Sequence, residues 1–307
     1  MQNKIIAVAG PTASGKTALA VEIAKVVGGE IVSCDSMQIY KDLSIGTAKP
    51  DAEEMQGIPH HMIDFVEPQR RYSVADFVDD ARACIDDILA RGKVPVVAGG
   101  TGLYMDSVLN NISFADFDSD PDFREEMQKL ADAEGKEAVH SLLQKADPEA
   151  AEKIHPNNVR RVIRALEVCR VTGKTFTQVN LESVRDAVYD ALIIGIDRDR
   201  EKLYERINLR VDIMLEKGLL TEVRDLYGKG IGADTTAMQA IGYKELVRYL
   251  EGRCTYDEAV EKIKMESRRY AKRQLTWFRR NPDILWFNAD EDGYYEKVFE
   301  KCFTFLK

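Results

Sequence analysis

The chain has 307 residues, enough for one large core or for one core with a smaller appended module. Its composition, 45% apolar and 31% charged, excludes a disordered or membrane-embedded protein. The formal net charge of −9 argues against broad nucleic-acid binding, so any RNA surface must be a local basic patch.

At the N-terminus Met1-Gln2-Asn3-Lys4 runs straight into Ile5-Ile6-Ala7-Val8-Ala9, which reads as a strand and not as a secretory leader. No apolar run approaches the roughly 20 residues of a transmembrane helix. The five cysteines (Cys34, Cys84, Cys169, Cys254, Cys302) are odd in number and far apart, without CxxC. That excludes a disulfide framework and a zinc ribbon and implies a reducing, cytoplasmic setting.

Directly after the first strand, Gly10-Pro11-Thr12-Ala13-Ser14-Gly15-Lys16-Thr17 fits GxxxxGK[ST] and opens a helix over 15–27. The glycines let backbone N–H groups curl toward phosphate oxygens, Lys16 adds charge, and the Thr17 hydroxyl suits Mg²⁺. The motif implies a polyphosphate site without saying which molecule carries the phosphates. A second strand, Glu30 to Ser33, ends at Cys34-Asp35-Ser36. A helix is predicted over Ser73 to Arg91, with Ser73 and Asp76 as an N-terminal capping pair and Gly92 as its stop. Val94 to Ala98 reads as a buried strand leading into Gly99-Gly100-Thr101. This β-α-β order predicts an α/β fold with a parallel sheet and ligands at the carboxyl ends of its strands.

Strand signals then stop. Asp116 to Asp122 reads as a polar loop, followed by helices near 121–133, 135–145 and 156–172, the last opened by Pro156 and closed by Gly173. Ala191 to Ile196 is again a buried strand. The economical organisation is a P-loop core, 1–112 plus 188–307, with a helical insertion at 113–187. The rest reads as helical: 199–217, 220–228, 243–251 and 255–279.

A Walker-B strand should end in an acid, yet the strand at 94–98 ends in Gly99-Gly100-Thr101. The acid stands instead at Asp35, where it can serve as a general base or merely cap a turn. From Lys262 to Arg280 the chain carries Lys262, Lys264, Arg268, Arg269, Lys272, Arg273, Arg279 and Arg280 against one acid, Glu266. A second basic cluster is Arg160, Arg161, Arg164, Arg170 and Lys174. Both are candidate RNA surfaces or simply solvated helix faces. Trp277 can stack on a base or belong to the core. His60-His61 lacks the accompanying ligands a tetrahedral metal site needs.

The loop motif, Asp35-Ser36-Met37-Gln38-Ile39-Tyr40, Gly46-Thr47-Ala48-Lys49-Pro50, Pro59-His60-His61-Met62, Gly99-Gly100-Thr101-Gly102-Leu103-Tyr104 and Arg164-Ala165-Leu166-Glu167-Val168 occur in this order. With Arg206-Ile207, Arg210, Ala240-Ile241-Gly242-Tyr243 and Lys272-Arg273-Gln274-Leu275-Thr276-Trp277, they resemble the bacterial tRNA dimethylallyltransferases across residues 4–280. The resemblance implies that Ser14, Lys16 and Thr17 hold the diphosphate of dimethylallyl diphosphate with Mg²⁺, that Arg210 clamps it, and that Thr101 lies at the crevice. It implies Asp35 as the base acting on the exocyclic amine of an adenine beside the tRNA anticodon. Asp35, Ser36, Met37, Gln38 and Thr101 would hold the base. Arg124, Arg160, Arg161, Val162, Ile163, Arg164, Met238, Gln239, Ala240, Ile241, Gly242, Tyr243, Lys272, Arg273, Gln274, Trp277 and Arg279 would contact the anticodon stem-loop. Met37-Gln38 departs from the Ala-Leu of some relatives. Competing readings are an isopentenyltransferase acting on free adenine nucleotides and a P-loop small-molecule kinase; no feature calls for more than a monomer.

Overall fold

Apolar runs too short to be helices, each followed by a turn, pair side by side as a parallel sheet. In the computed structural model, which describes residues 3–110, 120–183 and 187–307, β1 (Lys4–Ala9) is buried from Ile5 onward. It leads into α1 (Lys16–Val27) and β2 (Gly29–Ser33). A one-turn helix α2 (Ala52–Met55) and a two-residue β3 (His60–His61) follow. Next come α3 (Val74–Ala90), β4 (Val94–Gly99) and α4 (Gly102–Leu109). The α3 helix starts with the expected reciprocal cap: Ser73 Oγ accepts from the Asp76 N–H at 3.1 Å, and Asp76 accepts from the Ser73 N–H at 2.7 Å.

The chain divides into two compact units, Met1–Leu109 with Val188–Lys307, and Asn110–Ala187. The second contains α5 (Pro121–Glu134), α6 (Lys136–Ala146), α7 (Pro148–Lys153), α8 (Val159–Thr172) and α9 (Phe176–Ser183). Val139, Leu143, Val162, Ile163 and Leu166 form its core. Residues 116–119 of the predicted polar loop lie outside the described residues; Asp120 caps α5, its side chain accepting from Phe123 N–H. The helix expected from Pro156 starts later, at Val159, because residues 155–158 form a turn closed by Asn158 N–H to His155 O.

The first unit resumes with β5 (Asp190–Asp197), α10 (Arg200–Glu216), α11 (Leu219–Gly228), α12 (Tyr243–Leu250) and α13 (Tyr256–Phe278). The tail is not all helical: β6 (Leu285–Asn288) precedes α14 (Tyr294–Leu306). β6 has four half-exposed residues at the sheet edge, too short and too mixed to show a period.

The strand order is β3-β2-β4-β1-β5-β6, every pairing parallel. One face is covered by α1 and α14, through Leu19, Ile23, Val298 and Cys302. Burial on both faces explains why the strands read as continuous apolar runs. The order sets the carboxyl ends of β2, β4 and β1 next to one another, bringing Asp35, Gly100 and the glycine loop to one edge.

β2 also carries a buried acid at its other end. Glu30 is 2% exposed and is bound by Arg91 at 2.5 and 2.7 Å, Lys93 at 2.7 Å and His61 at 2.8 Å. The Arg91 hydrogen bonds, against the opposing cost of burial, hold its carboxyl well below the usual carboxylate range. A depressed folded-state pKa contributes stability above the unfolded value of 4.5 and loses it as pH falls below that. Glu30→Gln should therefore cost about 2–3 kcal/mol at neutral pH, since it removes the buried charge that the partly exposed Arg91, Lys93 and His61 all bind. The gap from wild type should shrink progressively below the carboxylate range; urea unfolding at pH 7 and in acid checks both.

Candidate active site

The glycine loop needs left-handed backbone at Ala13 (φ 62°) and Gly15 (φ 100°). That curl points successive N–H groups inward, and only a glycine accepts the second angle without strain. The loop is held by three arginines. Arg198 Nε donates to Ser14 O at 2.8 Å, Arg206 Nε to Ala13 O at 2.9 Å, and Arg210 Nη1 to Thr12 Oγ1 at 3.3 Å. Arg198 carried no sequence signal, because its role is to bond a carbonyl 184 residues away.

A cavity of about 340 Å³ opens at this edge. Thr12, Lys16, Thr17, Asp35, Ser36, Met37, Gln38 and Arg210 line it, together with Gln239 to Gly242, Tyr270, Arg273 and Gln274. Apolar side chains from α10, α11 and α13 (Ile207, Val211, Met214, Leu219 and Ile263) complete the wall. Lys16 keeps some solvent contact but is crowded by protein. Desolvation, with the neighbouring Arg210 adding, pulls its pKa down from 10.5 to about 8, and Asp35 offsets part of this. Desolvation also lowers the pKa of Arg210, against the pull of Asp35. Neither cation has an ion pair among the described residues. Two crowded cations without a carboxylate in contact form a site for an anion.

Asp35 caps its turn and also lines the cavity. One oxygen caps the turn, accepting from Met37 N–H at 2.9 Å and Gln38 N–H at 3.3 Å. Its other oxygen has no hydrogen-bond partner among the described residues, and the residue faces the cavity. Gly99 at the end of β4 lets this turn approach, and Gly100 after it lets α13 approach. A Cβ on Gly99 would lie 2.0 Å from Cys34 O, and one on Gly100 would lie 2.2 Å from Gln274 Nε2.

Several expected contacts are spent inside the protein. Gln274 is 5% exposed; it accepts from Thr12 N–H and donates to Gly100 O, both at 2.9 Å. Gln38 gives its amide hydrogens to Thr47 O and Ala48 O, and its oxygen lies 3.3 Å from Ser33 Oγ. Thr101 stands behind Ser36, outside the cavity wall. Ser14 is fully buried and its Oγ has no hydrogen-bond partner among the described residues. Met238, Tyr243, Val162 and Ile163 are buried core residues and present almost no surface. Trp277 Nε1 donates to Asp106 at 2.7 Å, and Arg279 pairs with Asp197 at 2.7 Å.

The basic helix is likewise less free than its sequence. Glu266 takes both Lys262 and Arg269, Asp212 takes Lys264, and Asn208 takes Arg268. Lys272 and Arg273 remain without a carboxylate among the described residues, as do the exposed Arg160 and Arg161 in the second unit. Arg124 and Arg164 share the buried Glu167 at 2.8 and 2.6 Å. His60 and His61 turn to different partners, Ile58 O and Glu30.

The cavity thus sets two cations and a carboxylate at the carboxyl edge of a six-stranded parallel α/β sheet. Residues 38–281 match the model of the IPP transferase family, and residues 3–68 that of isopentenyl transferase. The chain is 52% identical over 305 residues to a tRNA dimethylallyltransferase of Shouchella clausii, covering 99% of this chain and 97% of that protein. It is likewise 52% identical over 302 residues to that of Bacillus subtilis, covering 98% and 96%. A solved tRNA isopentenylpyrophosphate transferase from Bacillus halodurans superposes with a TM-score of 0.76 at 45% identity, covering 99% and 97%. A eukaryotic dimethylallyltransferase, solved acting on tRNA, superposes with a TM-score of 0.82 at 32% identity, covering 98% of this chain and 78% of that one. The chain belongs to the IPP transferase family.

The depressed Lys16 pKa has a measurable sign. A diphosphate bound beside Lys16 raises its pKa again, so above pH 8 binding takes up a proton and affinity falls as pH rises. The slope should approach about one decade per pH unit between pH 8 and 10 for an alkyl diphosphate. Lys16→Arg should bind with a flat profile. Calorimetry in two buffers of different ionisation heat checks it; no proton uptake by wild type would mean Lys16 does not face the ligand.

Proposed function

We propose that the cavity transfers a dimethylallyl group from dimethylallyl diphosphate to the exocyclic amine of the adenosine 3′-adjacent to a tRNA anticodon. The observation that carries this is the unanswered Lys16–Arg210 pair facing the open oxygen of Asp35 across one cavity, in a chain of this family. Loop N–H groups, Lys16 and Arg210 bind the diphosphate and stabilise the charge that grows as the allylic carbon–oxygen bond breaks. The adenine nitrogen forms the new bond to that carbon, Asp35 takes its proton, and diphosphate leaves. The adenine must leave its stack to reach the cavity.

The residues fit a Mg²⁺ ion shared with the ligand. The Thr17 hydroxyl opens onto the cavity, and no cluster of three His, Cys, Asp or Glu among the described residues could hold a metal unaided. Bound there through Thr17 and diphosphate oxygens, the ion would neutralise leaving-group charge. The RNA reading rests on Lys272, Arg273, Arg160 and Arg161, and it assigns the Asn110–Ala187 unit to the anticodon stem-loop. No helix among the described residues is long and apolar enough to cross a membrane, and the reading places a monomeric enzyme in the cytoplasm.

Incubating the protein with Mg²⁺, dimethylallyl diphosphate and unmodified tRNA, then digesting the RNA, should reveal isopentenyladenosine by mass. Asp35→Asn keeps the turn cap and removes the base, so single-turnover transfer should fall by about 10²–10⁴. Phosphoryl transfer from ATP without prenyl transfer would establish the kinase reading, and transfer to free nucleotides alone the other. For the RNA surface, removing Lys272, Arg160 or Arg161 should each make the salt dependence of tRNA binding shallower by about one in log–log slope. Arg279→Ala should change it less, because Asp197 already neutralises that charge; equal slopes for all variants would refute the assignment.

A further inference from the structure

β1, β5 and β6 lie side by side and parallel, so the residues that follow them meet at one edge of the sheet. After β1 comes the glycine loop, after β5 Arg198, and after β6 Asp290. The Ala289 N–H donates to Asp197 O at 2.9 Å and ties the last two strand ends together.

Arg198 bridges its neighbours on both sides. Its Nε donates to Ser14 O at 2.8 Å, and its Nη1 donates to Asp290 Oδ1. The other Asp290 oxygen accepts the Asp199 N–H at 2.9 Å. Asp199 in turn caps α10, accepting from Glu201 N–H and Lys202 N–H. The Arg198 and Asp290 side chains are only 14% and 11% exposed, so little water competes for either. Burial opposes ionisation of Asp290, but the Asp199 N–H and Arg198 outweigh it and hold the carboxyl below its ordinary 3.8. Asp290 lies beyond residues 38–281, the stretch that matches the IPP transferase model.

The bridge bears on the loop through peptide geometry. The carbonyl and N–H of a trans peptide point in opposite directions, so holding Ser14 O fixes where the Gly15 N–H points. The Ser14 N–H is taken by Pro11 O at 3.3 Å, whereas the Gly15 N–H has no acceptor among the described residues. A cation on the carbonyl also strengthens the donor at the other end of the same peptide. Arginine is a long side chain, and the carboxylate at its far end removes the freedom to swing off the carbonyl.

We infer that Asp290 is a positioning residue for the diphosphate site: by fixing Arg198 on Ser14 O it keeps the Gly15 N–H aimed at the phosphates of the donor. The inference rests on the prenyl-transfer reading and adds to it a contribution from the segment after β6. Removing the carboxylate has two effects of opposite sign. Loss of its negative charge favours an anion in the loop, and loss of the aim disfavours one, so the direction of the change separates them.

The probe is inorganic diphosphate with Mg²⁺, titrated by calorimetry into wild type, Asp290→Asn, Arg198→Ala and the double variant, with tRNA affinity measured alongside. Asp290→Asn should weaken diphosphate binding by roughly 5-fold, the share of one hydrogen bond, and leave tRNA affinity unchanged. Arg198→Ala should cost at least as much, and the double variant should lose no more than Arg198→Ala alone. Should Arg198→Ala not fold, Arg198→Lys takes its place in the cycle, since one ammonium does not reproduce the two-armed bridge. Losses that multiply, or a tRNA affinity that falls in step, would reduce Asp290 to an anchor of α10 and overturn the inference. Unchanged or tighter binding by Asp290→Asn would also overturn it. A wild type that shows the coupling yet prenylates no tRNA overturns the transferase reading alone, and one that binds no diphosphate overturns both.

Discussion

The buried amide of Gln274 holds Thr12 N–H and Gly100 O at 2.9 Å each. Those two groups sit at the ends of β1 and β4 and gain a partner from α13, far along the chain. Removing the amide would leave a part-buried donor and a buried acceptor unmatched, at a cost of ~1–3 kcal/mol for the buried group. Its position also dictates neighbours. Gly100 has no room for a side chain beside the amide, and Gly99 has none beside Cys34 O. The glycine loop, the Asp35 turn and α13 are therefore one packed assembly, and the cavity is the space left between them.

Within that space the electrostatics are unbalanced by design of the packing. Arg198 and Arg206 are spent on loop carbonyls, so they fix shape. Lys16 and Arg210 are left to repel one another with Asp35 as a partial offset. A crowded site loses water that would otherwise screen the cations, which strengthens any interaction with an arriving polyphosphate. The same crowding makes the cations costly in the free protein. Binding and strain are in this sense one property of the site.

The glycine loop was legible because its conformation demands residue types: Gly15 at φ 100°, a lysine and a hydroxyl at fixed steps. The long helices were legible from their period, and α3 from its reciprocal cap. By contrast β3 and β6 are two and four residues long at the sheet edges, and they form only because β2 and β5 offer unpaired backbone. α7 and α9 were missed for a similar reason. They are short, and the second is held partly by the buried Asp147, which accepts from Thr177 N–H and lies 3.1 Å from Thr177 Oγ1.

By itself, then, the sequence determined the parallel α/β core, the helical insertion and the glycine loop, because each follows from local chemistry or period. Which polar residues remain available was decided only by the tertiary structure. Glu266, Asp212 and Asp197 neutralise much of the basic helix. Gln38, Gln274 and Trp277 turn inward to satisfy buried groups. Tyr270, with no motif to mark it, lines the same cavity as Asp35. Hydrogen bonds and ion pairs form between groups far apart in the chain, so their partners are set by packing and leave no trace in the order of residues.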